Sequence, residues 1–383
     1  MSRHVFRALG VLPGQPFPLD AIAAAADESA TQTATALRRL TAAHLIEPDD
    51  GDRFRLHDLL RRYAADRALP PPARHRVYHW YVAVARQAAR LLRPQARRLD
   101  YDDADITTVL AGQEAAAEWF DQELPKLLAV IENATEHGPP QVAWLLAEAL
   151  HTYFEMRLGH PDWVDITEAA LRCATNAGEL RAEIAMRRGL TSHARHTGDF
   201  TGAKRHSEQA LLRARDIEAV DDEAVILAGL AACCYRLGEL PEAARHCRES
   251  LRITGSDTPA ATSALNILGI VDMDLGDLTE AADCLTQAVA LVRQTGDVSI
   301  VSILGNLAQV HMELGALDDA YRYASEALRR SVAGGIRNDE ISNHDNLSRI
   351  HTAMERYPQA RHHGQQAVQL AAEAGLPMQH AYT

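Results

Sequence analysis

Apolar and polar positions repeat along this chain with one long period. A turn signal recurs at Gly198-Asp199-Phe200, Gly238-Glu239-Leu240, Gly276-Asp277-Leu278 and Gly315-Ala316-Leu317, and Glu355-Arg356-Tyr357 takes the same place without a glycine. The intervals are 40, 38, 39 and 40 residues, and Gly159-His160 lies 39 residues before the first. Ahead of each turn a large apolar residue stands next to a small one, as in Leu268-Gly269 and Leu307-Ala308. Behind it, alanines such as Ala243-Ala244 and Ala281-Ala282 let two helices approach closely, and Leu251, Val289 and Leu328 close the second helix. The pattern predicts stacked helical hairpins, because one hairpin cannot bury its apolar face alone. Glycine at the turn suits a helix C-terminus that needs a left-handed residue.

Residues 1–69 follow another pattern. Val5-Phe6-Arg7-Ala8-Leu9 opens an apolar helix that stops at Gly10, and Pro18-Leu19-Asp20 begins a second through Ala26. A third runs from Ala30 to Leu45, with Leu37, Leu40 and Leu45 on one face. Asp49-Asp50-Gly51-Asp52 makes a tight turn into Arg53-Phe54-Arg55-Leu56, the one convincing short strand, and a helix from Asp58 to Ala68 follows. Three helices, a β-wing and a closing helix read as a winged helix. Leu69-Pro70-Pro71-Pro72 is a stiff break. After it come a long helix (Ala73 to Leu92), an exposed loop (Pro94 to Asp105), and two helices between Glu114 and His137 joined near Pro125. The expected parts are a winged helix at 1–69, a helical connector at 70–141 and an array of about six hairpins at 142–383.

Composition agrees with an all-α chain. Alanine, leucine and arginine dominate and aromatics are 5%, a profile that loses little on entering helices. The net charge of −13 is unevenly spread: residues 1–100 carry a balance of +6 and the remainder −19. An acidic body argues against nucleic-acid binding by the repeats. Cys173, Cys233, Cys234, Cys247 and Cys284 form neither a disulfide framework nor a CxxC knuckle, which points to reduced thiols in a cytoplasmic protein. No signal peptide or membrane-spanning run is visible.

The 40-residue pattern resembles the longer variant of the tetratricopeptide repeat, clearly over 182–379 and less clearly over 142–181. The resemblance implies a right-handed superhelix, an α-solenoid, whose first helices line a concave groove. Matching the family's groove positions gives Arg188, Ser192, Arg195, Tyr235, Arg236, Gln309 and Arg349, with Asn306 and Asn346 at its peptide-binding asparagine position and Asn266 one residue earlier. An asparagine amide both donates to and accepts from a peptide backbone. The alternative for each residue is structural, an asparagine tying neighbouring repeats together or an arginine in solvent. The chain ends at His380-Ala381-Tyr382-Thr383, where a capping helix would begin, which suggests truncation.

The N-terminal stretch resembles the winged-helix domain of NB-ARC (STAND) signal-transduction NTPases. Actinobacterial regulators of secondary metabolism (the antibiotic regulatory protein family) are similar in style. The resemblance is carried by Phe6-Arg7-Ala8-Leu9-Gly10, Ala43-His44-Leu45-Ile46-Glu47, Phe54 through Ala64, and Glu118-Trp119-Phe120-Asp121-Gln122-Glu123 leading into Leu127-Leu128-Ala129-Val130. Leu56-His57-Asp58 corresponds to the family's Met-His-Asp motif, which implies that His57 approaches the β-phosphate of ADP, with Asp58 its companion, wherever an NTPase domain is present. No GxxxxGK[ST] loop occurs in this chain, so no ATP or ADP site is expected within it. A fragment of a larger regulator fits this, as does a short relative without an NTPase.

Direct DNA reading would fall to Arg38, Arg39, Thr31, Thr33 and Thr35 with Arg53 and Arg55 on the wing, and is not expected from so few phosphate contacts. The histidine pairs His75/His79, His193/His196 and His362/His363 have metal-compatible spacing but no evident third ligand, so no metal is expected. No catalytic motif is present and no enzyme activity is expected. The sequence therefore reads as the sensor and relay region of a STAND-type transcriptional regulator. Its repeats would bind a protein, peptide or small-molecule signal, and its winged helix would relay the change to an NTPase outside the chain. The alternatives are a stand-alone tetratricopeptide adaptor or peptide receptor, and a winged-helix DNA-binding repressor. The oligomeric state is left open.

Overall fold

The computed structural model describes residues 1–94, 96–102, 108–157, 160–254, 258–295 and 299–373. It divides into two compact units, Met1–Arg213 and Ala214–Thr383. The expected boundaries at 69/70 and 141/142 both fall inside the first. Turn residue Gly159, the end of the loop at Asp105 and the terminal His380–Thr383 lie outside the described residues.

The first unit opens with α1 (Ser2–Ala8), β1 (Phe17–Pro18), α2 (Leu19–Ala26), α3 (Ala30–Ala42), β2 (Glu47–Asp49), β3 (Arg53–Arg55) and α4 (Asp58–Asp66). The three strands form an antiparallel sheet in the order β1-β3-β2. The β2–β3 hairpin stands where the wing was expected, turning at Gly51 with φ +66°. Two expectations need correction. Strand β1 was not foreseen, because it is two residues long and ends in proline; Phe17 pairs with Phe54 and is buried. Helix α3 stops at Ala42, since His44 takes a left-handed conformation at φ 56°. Leu45 is thereby thrown outward to 36% exposure, and Ile46 enters the core in its place. At the other end Ser29 and Gln32 form a capping box that fixes the start of α3.

Next come α5 (Pro71–Leu92), α6 (Gln113–His137), α7 (Pro140–Met156), α8 (Asp162–Ala177), α9 (Leu180–His196) and α10 (Phe200–Asp216), within which the unit boundary falls. Pro71 and Pro72 occupy the first turn of α5, where a missing N–H costs nothing. They start a helix where a break was expected. The expected pair of helices at 114–137 is one helix, α6, with Pro125 inside it. Pro125 lies on the exposed side, while Phe120, Leu124, Leu127 and Ile131 are buried on the other side. Nor is the loop after α5 simply exposed. Leu99 and Tyr101 pack against the core, and Arg98 donates to the carbonyls of Ala89 and Arg93 at the end of α5. One hydrophobic cluster runs from Val5 through α5, α6 and α7 to Met186.

The second unit holds α11 (Val220–Arg236), α12 (Leu240–Thr254), α13 (Pro259–Leu275), α14 (Leu278–Thr295), α15 (Ile300–Glu313), α16 (Leu317–Gly334), α17 (Arg337–Ala353) and α18 (Tyr357–Glu373). Among the described residues α7–α18 follow one another as six pairs of helices, where about six hairpins were expected. Gly198, Gly238, Gly276 and Gly315 all have positive φ, between 76° and 89°. Glu355, the one turn without glycine, takes the same conformation at φ 60°. Five residues after each turn stand Ala203, Ala243, Ala281, Ala320 and Ala360, and twelve after stand Ala210, Ser250, Ala288, Ala327 and Ala367. All ten are buried, so small side chains mark the close approach of neighbouring helices.

Candidate functional site

His57 is the N-cap residue of α4 and Asp58 its first residue; both side chains are exposed. The His57 ring makes no capping bond, and its backbone is extended (φ −60°, ψ 142°). Asp58 sits at the positive end of the helix dipole, where a carboxylate is favoured. Helix α4 buries only Ala64 and leaves Leu59 73% and Tyr63 48% exposed. The strand just before this motif is anchored inward. Arg53 Nη1 bonds Glu123 Oε1 on α6, and Nη2 donates to Gln122 Oε1 at 2.8 Å.

Glu123 is fully buried and is the centre of a network that sequence reasoning missed. Lys126 Nζ donates to it at 2.8 Å and the Tyr81 hydroxyl at 3.1 Å. A buried carboxylate is tolerable only with such partners. Burial pushes the Lys126 ammonium below its ordinary value while Glu123 pulls it back, and burial followed by the Glu123 charge drives the Tyr81 phenol well up. The available signal was Lys126, one of two lysines in the chain, three residues beyond a glutamate on a helix.

The residues considered for DNA reading are largely engaged. Thr33 is buried, Arg53 is held by α6, Arg55 Nε donates to Asp49 at 2.7 Å, and Arg38 donates to Thr35 at 3.1 Å.

Three groove candidates lie in the first unit, on α9. Ser192 Oγ donates to Glu155 Oε1 on α7 at 2.7 Å, and Arg93 bonds the other carboxylate oxygen. Arg188 is half-buried and its charge bears on Glu148 and His151 of α7. Arg195 is exposed in the last turn.

In the second unit Asn266, Asn306 and Asn346 stand on α13, α15 and α17. Asn306 Nδ2 donates to Asn266 Oδ1 at 2.9 Å, and Asn346 Nδ2 reaches the Gly305 carbonyl at 3.4 Å. These amides link first helices of successive hairpins, as the structural alternative had it, and each keeps further bonding capacity. Asn343, buried beside them, has no conventional partner for Oδ1. That oxygen is 3.0 Å from where a Cβ on Gly305 would lie, so the glycine leaves it room. Gln309 donates to Glu313 at 3.4 Å and Arg349 lines an open hollow with Asp345 and Arg361. Tyr235 is half-buried, its phenol pushed up by burial and then by Asp274, and Arg236 is exposed.

His193 and His196 pack on Trp163, with ring centroids 5.2 and 5.9 Å away, and His79 bonds the Tyr101 hydroxyl at 2.5 Å. Among the described residues no group of three His, Cys, Asp or Glu is placed to hold a metal ion, and no helix is long and apolar enough to cross a membrane.

Residues 224–382 match the family described as the MalT-like TPR region. Over 346 residues the chain is 28% identical to the regulatory protein AfsR of Streptomyces griseus, covering 87% of this chain and 32% of that protein. It is 26% identical to AfsR of Streptomyces coelicolor over 332 residues, covering 82% and 32%. The chain thus spans about a third of the length of these relatives. Among solved structures it resembles a STAND protein with a tetratricopeptide-repeat sensor from Pyrococcus horikoshii, with TM-score 0.52 and 10% identity over 98% of this chain and 64% of that one. It also resembles a Rap protein complexed with competence and sporulation factor, with TM-score 0.54 and 13% identity over 77% of each chain. At such identities these structures speak for the fold alone. Residues 224–382 are thus similar to the MalT-like TPR region, and the chain is similar, over most of its length, to about one third of the AfsR regulatory proteins.

Proposed function

We propose that this chain is the sensor and relay part of a STAND-type transcriptional regulator. In this reading the repeats take up a protein, peptide or small-molecule signal, and the winged-helix region passes the change to an NTPase module. The observation that carries the proposal is the pairing of an exposed His57-Asp58 motif with an inward-anchored Arg53 just before it. His57 is free to meet a phosphate on another module, where an imidazole N–H can donate to phosphate oxygen. Movement of α6 would reach His57 through the Glu123–Arg53 bond and four residues of chain. The likeness to AfsR-type regulators supports the role. The Rap protein solved with a bound signalling factor supports uptake of a peptide or protein by a repeat array of this kind.

The test is replacement of His57 by leucine in the native gene, followed by transcript profiling with and without the inducing condition. If the contact of His57 with the phosphate holds the regulator off, its loss predicts transcription that no longer waits for the signal. An unchanged response would favour a stand-alone repeat adaptor, in which His57 has no nucleotide to sense.

A further inference from the structure

Hairpin α17–α18 holds a cluster that neither the groove nor the relay uses. His344 Nδ1 and His363 Nδ1 lie 2.9 Å apart, one nitrogen facing the other across the hairpin. The His351 ring stacks on His363 with centroids 5.5 Å apart and an interplanar angle of 12°. His362 meets His363 edge-on at 5.4 Å. Tyr321 of α16 covers His351 at 5.3 Å. His344 and His351 are 9% and 5% exposed, and the buried Nδ1 of His351 has no hydrogen-bond partner. The equivalent place in the preceding hairpin holds His311 stacked on Tyr323 at 5.3 Å, a pair with one titratable imidazole.

We propose that these histidines form a proton-operated latch on the α17–α18 hairpin. A nitrogen-to-nitrogen bridge needs one proton, with one ring donating and the other accepting. When both rings carry Nδ1–H there is no acceptor between them, and two cations face each other at contact distance in a half-buried seam. The surrounding charges do not compensate. Glu340 favours the charged form of His344 but is already paired with Arg337 at 3.3 Å, and Arg356 opposes charge on His351. Accordingly burial, then His344, His351 and His362, hold His363 down to about 4, and burial lowers His344 and His351 as well. Acid therefore opens the latch and with it the hairpin. Because α17 also carries Asn343, Asn346 and Arg349, opening would change the surface those residues present. The proposal does not depend on the NTPase relay.

The experiment is amide hydrogen exchange of the full chain at pH 7.5 and pH 5, corrected for intrinsic rates and read by mass spectrometry for each hairpin. Peptides from α17 and α18 are expected to lose protection roughly tenfold or more relative to those of α13 and α14. His363→Gln and His344→Gln should each remove that difference. Equal protection at the two pH values, or equal loss in all hairpins, would overturn the proposal. Should the variants fail to fold, histidine C2-hydrogen exchange on the unmodified protein decides the matter. Half-titration of His344 and His363 near the ordinary 6.5 would overturn it, and titration well below that would sustain it.

Discussion

Arg53 on the wing and Glu123 on α6, 70 residues apart in sequence, form a partly buried ion pair that Lys126 and Tyr81 complete from the inside. The wing is thereby tied to the same helix that leads into the first repeat hairpin. Any account of the N-terminal region as a signal relay depends on this bond, because α4 itself buries a single residue.

Glu123→Ala should cost about 3–5 kcal/mol, the usual penalty for leaving buried partners uncompensated. Thermal unfolding checks it. Replacing Glu123 and Lys126 together by leucine and methionine should cost less, since the buried ammonium is then not stranded and only Arg53 and the Tyr81 hydroxyl lose their acceptor.

Gly189 and Gly229 both lie inside helices, yet substitution should act oppositely. A Cβ on Gly189 would fall 2.1 Å from the His151 ring, so Gly189→Ala should destabilise the first unit by about 1–3 kcal/mol. Nothing lies within 4 Å of a Cβ on Gly229, so Gly229→Ala should stabilise α11 by about 0.5–1 kcal/mol. Denaturant midpoints of the two variants give the comparison.

Glu355 pays a left-handed backbone penalty that its four glycine counterparts avoid. Glu355→Gly should raise the stability of the last described hairpin by about 1 kcal/mol, visible as slower amide exchange in α17 and α18.

His151 is held down to about 4, first by burial, with Arg188 adding to the effect and Glu155 opposing it. Its neutral form is the one that fits. The stability it contributes is therefore complete above about pH 6.5 and lost as pH falls from there toward 4. His151→Gln should flatten the fall in melting temperature across that window.

Much of this was legible in the sequence because it is local. The repeat turns were found from glycines that the backbone does need at positive φ, and the period carried on through Glu355 where the glycine is missing. Six hairpins followed from that spacing. What escaped was set by distant partners. Pro125 looked like a boundary because helix propensity was weighed without the buried face around it. Strand β1 exists only because β3 lies beside it. Only Lys126, three residues on, marked Glu123 in the sequence, since Arg53 and Tyr81 reach it from 70 and 42 residues away. The asparagines of α13, α15 and α17 were picked out by their spacing from the turns, but their bonds to neighbouring helices depend on packing that spacing does not encode.

We propose that His57 senses a nucleotide held by an NTPase module. The most direct measurement isolates the protein from its own cells under native conditions, with wild-type His57 or with His57→Ala. Bound nucleotide and co-purifying NTPase sequence, in the same polypeptide or a partner, are then quantified by mass spectrometry. The account predicts ADP near one per chain in the wild type and clear loss in the variant. An NTPase module with the same ADP content in both, or no such module and no nucleotide, would contradict it.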